Sequence, residues 1–237
     1  MLEKRLATLT GKKVCEIGPG TVTTAKDILE ANGNEWFGIE PQAVDYEGRP
    51  TVRTHEGTVS SIPFEDESMD YVLANQSMEH WYEFKTSFRK GLSEIHRVLK
   101  PGGFANLNVP IHLHGHGIFV RGELSRIRSL FSASQWESVE FEEWRREYEP
   151  LDKWVGWPLG KIPDRKIPSA DTASTWILEI IVKKAAVSRK RSLIEEVGPW
   201  WIDRKTDLHR IFRVHRTSRA LSRRVDGVKS VLGRKQD

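Results

Sequence analysis

Between residues 12 and 110, short apolar runs of strand length alternate with segments whose apolar residues recur at helical spacing. KKVCEI (12–17) reads as a strand and Gly18-Pro19-Gly20 as its turn. Val22, Ala25 and Leu29 then recur as a helix face until Asn32-Gly33 stops it. EWFGIE is a second strand ending at Glu40, and YVLAN (71–75) is a buried one. Trp81, Phe88, Leu92, Ile95 and Leu99 line one long helix closed by KPGG, and FANLNVP follows as a strand. Such alternation is satisfied by a parallel sheet with helices on both faces. The expected fold is therefore α/β and doubly wound. Its sheet is Rossmann-like, mostly parallel and seven-stranded, with STWILEIIVKK (174–184) as the strongest late strand.

The first turn constrains the ligand. In sheets of this kind ligands bind beyond the carboxyl ends of the strands, where strand order reverses. Gly18 and Gly20 let backbone approach a ligand there, and Glu40, at the next strand end, can accept both hydroxyls of a ribose. A dinucleotide fingerprint wants glycine at position 23, where this chain has Thr23. Glu16 would repel a phosphate placed beside it. A cationic, phosphate-free adenosine compound such as S-adenosylmethionine is the better electrostatic match.

Composition bounds the rest. The 237 residues include 38% hydrophobic and 30% charged positions, ordinary for one core with an appendage. No apolar run reaches the ~20 residues that cross a bilayer, and the first residues lack the apolar core of a signal peptide. A lone Cys15, inside the first strand, excludes intramolecular disulfides and multi-cysteine zinc sites and reads as a core residue. A cytoplasmic location is the expectation. The net charge of +4 is uneven: residues 186–237 hold 14 Lys/Arg against 6 Asp/Glu, leaving the remainder mildly acidic.

Four segments in order carry a resemblance. VCEIGPG, FGIEP, GTVSSIPFEDESMDYVLANQSMEHW and LSEIHRVLKPGGFANLNVP together resemble a class I S-adenosylmethionine-dependent methyltransferase of the small-molecule type, over roughly residues 10–110 and the strand near WILEIIVKK. The resemblance implies that Glu16 meets the methionine ammonium, directly or through water. Gly18 and Gly20 would admit the cofactor, and Glu40 would hold its ribose. Thr58 and Val59 stand where the family often has Asp-Ala, so the adenine would rest on the Val59 backbone and the Thr58 hydroxyl. Val22 replaces a glycine found in many members, and Asn75 would offer backbone to the methionine end. Plainer roles stay open: turn geometry for the glycines, helix capping for Glu40, and orientation of a helix start for Glu79 and His80.

Methyl transfer to a hydroxyl needs a base near the cleft. His112, His114 and His116 alternate in IHLHGHG, where an acceptor pocket would open, and His80 is a rival. These histidines are candidates for that base. They also suit ordinary loop hydrogen bonds or a divalent metal, though no carboxylate cluster accompanies them, so no metal set is assigned.

The expected organisation is a methyltransferase domain (1–185) with an acceptor-binding cap at 111–170, then a basic helical extension (186–237). Trp136, Trp144, Trp154, Trp157 and Tyr148 in or beside the cap suit either a core or a sugar face. O-methylation of a sugar, glycan or glycosylated metabolite in polysaccharide biosynthesis is the expected function. Another small-metabolite acceptor, an inactive cofactor-binding partner subunit and a nicotinamide oxidoreductase are the alternatives. In the extension, Leu208, Ile211, Phe212, His215, Leu221, Val225, Val228 and Leu232 form a stripe opposite arginines, preceded by Trp200-Trp201. Such a helix suits self-association, packing on its own domain, or peripheral contact with the inner face of an anionic membrane. Nucleic acid is the weakest partner, since no recognisable module accompanies the charge.

Overall fold

The structure, a computed structural model, describes residues 2–131, 135–147, 153–162 and 176–186. In chain order the elements are α1 (Leu2–Leu6), β1 (Lys13–Ile17), α2 (Thr24–Ala31), β2 (Glu35–Glu40), β3 (His55–Glu56) and β4 (Met69–Asn75). A 3-10 helix (Met78–Phe84), α3 (Phe88–Val98), β5 (Leu99–Pro110), α4 (Gly117–Val120) and α5 (Leu124–Ser129) follow. Last come β6 (Trp136–Glu147), β7 (Lys153–Pro158) and β8 (Trp176–Lys184). The expectations for 186–237 fall outside the described residues, apart from Ala186. Those for Tyr148 fall outside them too.

One sheet joins all eight strands in the order β3-β2-β1-β4-β5-β8-β6-β7. The five strands from β1 to β5 are mutually parallel, whereas β8, β6 and β7 add antiparallel ladders. Strand order reverses between β1 and β4, which puts the ligand-accepting crevice at the carboxyl ends of those two strands. On one face Val14, Trp36, Tyr71 and Leu73 pack with Leu6 of α1 and Ala25 and Leu29 of α2. The helical stripe thus buries against the strands as its spacing predicts. Cys15 is fully buried, and that burial pushes its thiol well above the ordinary range.

Three expectations are corrected. Among the described residues the sheet has eight strands rather than seven, because β6 and β7 form a hairpin that extends it beyond β8. Residues 136–147 and 153–158 of the expected cap therefore belong to the sheet, and residues 111–131, with α4 and α5, follow β5. The alternation in β7 leaves no buried run to read, since its residues are all exposed or half-buried. Third, the long helix from Trp81 to Leu99 is two elements, divided where Lys85 takes a left-handed conformation (φ 57°). Ser87 caps α3, its hydroxyl accepting from the Lys90 amide at 3.1 Å. Trp81 folds back onto Gly91 so closely that a Cβ there would lie 2.5 Å from its ring. That contact makes the glycine necessary. Val22, expected on the α2 face, is 56% exposed and precedes the helix.

Candidate active site

The turn after β1 is held from three sides. The Gly18 amide donates to the Ile39 carbonyl at 2.9 Å, and Val52 donates to the Gly20 carbonyl at 2.7 Å. From the β4 side, the Ser77 hydroxyl donates to the Ile17 carbonyl at 2.7 Å. Gly18 has φ 70°, and a Cβ on it would sit 2.8 Å from that of Ser77. Both its conformation and its clearance demand glycine. Ser77, which sequence spacing left unremarked, thus locks the loop after β4 onto the tip of β1.

Glu16 and Glu40 occupy adjacent strand tips. Glu16 stands opposite Gly38 in the β1–β2 register and is only 3% exposed. The indole N–H of Trp36 donates to its Oε2 at 2.8 Å. Burial raises the Glu16 carboxyl to about 7, against the lowering effect of that hydrogen bond. Glu40 accepts from the Gly20 amide at 3.2 Å, so the acid at the second strand end also clamps the turn of the first. Burial moves its carboxyl upward too, opposed by the Gly20 and Gln42 amides and by Arg53.

The remaining cofactor candidates lie around these tips. Thr58 follows β3, and its hydroxyl shares a 2.7 Å hydrogen bond with Ser60 and accepts from the Ser60 amide at 3.3 Å. Val59 is buried beside Gly91 of α3, leaving its backbone as the part of that residue suited to a ligand. Asn75 ends β4 opposite Asn108 of β5. The next amide, Gln76, donates to both the carbonyl (2.9 Å) and the side chain (3.0 Å) of Asn108.

The histidine candidates separate. His80, in the 3-10 helix after β4, and His114, after β5, stack with centroids 5.0 Å apart. Both direct Nε2 toward Oε1 of Glu79, at 4.0 Å for His80 and 3.7 Å for His114. His80 also places Nδ1 2.8 Å from Glu83. Glu79 is completely buried, and its carboxyl is raised to about 8 chiefly by that burial. Desolvation and the neighbouring His80 hold the His114 imidazole below its ordinary range. His112 is engaged elsewhere: it has φ 63°, its Nδ1 is 3.2 Å from the Val120 carbonyl, and its ring meets Trp176 edge-on. His116 caps α4, accepting from the Ile118 amide at 3.2 Å. Sequence spacing did not single out Glu79 as part of a site. Its Glu-His pair was visible, but its burial arises only when Gly115 presses against it, close enough that a Cβ there would lie 2.6 Å away.

Residues 15–107 match the family described as a methyltransferase domain. The demethylmenaquinone methyltransferase of Chlorobaculum parvum is 27% identical over 132 residues, covering 52% of this chain and 53% of its own length. An uncharacterized methyltransferase of Bacillus subtilis, YcgJ, is 26% identical over 172 residues, which is 60% of this chain and 64% of its own length. The chain thus spans about half the length of the first relative and under two thirds of the second. The crystal structure of YcgJ shares the fold with a TM-score of 0.52 at 16% identity, covering 78% of this chain and 97% of that one.

Proposed function

We propose that this chain, a member of the class I S-adenosylmethionine-dependent methyltransferases through its residues 15–107, transfers a methyl group from that cofactor to a small hydroxylated acceptor. The observation that carries this reading is the pair of carboxylates, Glu16 and Glu40, flanking one glycine turn at the point of strand reversal. Two acidic side chains there favour an ammonium and a ribose and disfavour a pyrophosphate. Glu16 would bind the ammonium, Glu40 the ribose hydroxyls, and the Thr58–Val59 turn the adenine edge. The backbone at Asn75 would meet the methionine end.

In such a reaction the methyl carbon leaves the sulfonium, which becomes a thioether, and joins the acceptor oxygen, whose proton departs. The cofactor supplies the activation, and the protein aligns donor and acceptor in line. The polar group formed by Glu79, His80 and His114 lies at the ends of β4 and β5, beside the crevice, and we assign it to the acceptor side.

The sugar expectation rested on the tryptophan-rich segment together with the basic tail, which lies outside the described residues apart from Ala186. Trp136 is buried against His96, and Trp144 donates to Glu179 at 2.9 Å, so those two rings serve the sheet. A sugar hydroxyl therefore stays in the acceptor panel beside the demethylmenaquinone for which the relatives are named.

Calorimetry with the demethylated cofactor, S-adenosylhomocysteine, tests the core of this reading, with NAD as competitor. We expect uptake of the first alone; uptake of NAD alone overturns it. Label transfer from S-adenosylmethionine to the panel then separates an enzyme from a binding subunit, which would take up cofactor without consuming it.

A further inference from the structure

We propose that Glu79, His80 and His114 form a binding site for one divalent transition-metal ion of the zinc class. Among the described residues these three bring one ligand atom each to within 4.8 Å of one another. Two imidazole nitrogens and one carboxylate oxygen make a donor set suited to zinc, cobalt or iron rather than to magnesium or calcium.

Three features of the cluster point to a cation and away from a hydrogen-bonded relay. First, neither carboxyl oxygen of Glu79 has a side-chain hydrogen-bond partner among the described residues, and only the residue's own backbone amide favours its charge, although the residue is wholly buried. An unpaired buried carboxylate is costly. Second, the distances of 3.7 and 4.0 Å from Oε1 to the two Nε2 atoms are too long for hydrogen bonds. They are longer than the ~3.3 Å that separates ligand atoms around a tetrahedral ion with bonds of about 2.0–2.1 Å, and all three ligand atoms lie within 4.8 Å of one another, so the two rings would move inward on binding.

Third, Glu83 orients the His80 ring. Glu83 can only accept, so Nδ1 of His80 is the donor in their 2.8 Å contact. Nε2 is then the ring atom that faces Oε1 of Glu79 at 4.0 Å, and a cation bound between the two would satisfy both. A carboxylate behind the far nitrogen is also the usual support of a metal-bound histidine.

His80 and His114 are 36% and 46% exposed at the side chain, so the ion would be held between a buried carboxylate and two rings in contact with solvent. Protein ligands would occupy three positions, leaving room for water or an acceptor oxygen. The use of that position in methyl transfer rests on the function proposed above. There the ion would polarise the acceptor hydroxyl, the proton would pass to solvent, and the histidines would act as ligands instead of bases. Binding of the ion does not depend on that reading.

The test is titration of metal-free full-length protein with Co2+, read by its visible absorption and by competition with Zn2+. We expect one equivalent to bind with the strong bands of a low-coordinate site. His114→Ala, at a half-exposed position, should weaken binding at least 100-fold, and Glu83→Ala by about 10- to 100-fold. His112→Ala should still bind. Absence of the spectrum in the wild-type protein, or its persistence in His114→Ala, overturns the site. Binding of S-adenosylhomocysteine is measured on the same samples. Cobalt uptake without cofactor binding would count against the methyltransferase reading alone, and the reverse against the metal site alone.

Discussion

The indole of Trp36 on β2 hydrogen-bonds the carboxyl of Glu16 on β1, sealing an acid at the strand tip. Gly38 makes this possible. It stands opposite Glu16, and any side chain there would overlap the Trp36 ring. A glycine inside a strand marks such a close approach.

Stability should fall as that carboxyl ionises. Its folded value of about 7 lies above the ordinary 4.5. The folded state therefore binds more protons than the unfolded chain between those values. Glu16 contributes fully below about pH 4.5, and its contribution is lost as pH rises through 7. The difference is roughly 3 kcal/mol. Glu16→Gln keeps an acceptor for the indole and removes the titration. Urea unfolding of cofactor-free protein at pH 5 and pH 8 should show the variant gaining on the wild type at the higher pH.

Cofactor binding should report the same proton. An ammonium beside Glu16 favours its ionised form, so uptake near neutral pH releases a proton and tightens as pH rises from 6 to 8. Calorimetry with S-adenosylhomocysteine in buffers of different ionisation enthalpy measures the release. Glu16→Gln should abolish it, and an unchanged release would remove Glu16 from the ammonium site.

The two glycines of the turn should respond differently to alanine. Both have positive φ, 70° at Gly18 and 59° at Gly20, which costs an alanine about 1–2 kcal/mol. Only at Gly18 does the new methyl also meet Ser77, whereas at Gly20 nothing lies within 4 Å. Gly18→Ala should therefore destabilise the protein more than Gly20→Ala by thermal melting. Gly20→Ala should instead lose affinity for the cofactor out of proportion to its stability.

Glu179 should matter to stability alone. It is buried on β8, where its carboxylate accepts from Asn106 at 2.8 Å and Trp144 at 2.9 Å, with the Arg5 guanidinium 3.6 Å away. Glu179→Ala leaves these donors without their acceptor, at about 1–3 kcal/mol for each buried group. Chemical denaturation should register a loss of several kcal/mol, with cofactor affinity of the folded fraction intact.

Much of the proposed cofactor side was legible along the chain. Strand, glycine turn and helix are contiguous between Lys13 and Ala31, and Glu40 ends the next strand, so local pattern placed both acids at neighbouring tips. SVEFEEW (138–144) reads as a possible strand and lies in β6, but β7 was not legible. The half-exposed residues of β7 carry no buried run, and only pairing with β6, which itself pairs with β8, makes them a strand of the sheet.

The amino-acid order by itself determined the α/β alternation, the turn that needs glycine and the pairing of acidic tips. Those features arise from neighbours in the chain, where periodicity and backbone sterics act directly. Tertiary structure alone decided that Trp36 covers Glu16, that Ser77 bolts β4 to β1, and that Glu79 meets His80 and His114 while His112 turns away. Each of these depends on strand register or on a loop returning across the sheet. The burial that changes a carboxyl from an ordinary surface acid into a site is a property of that packing.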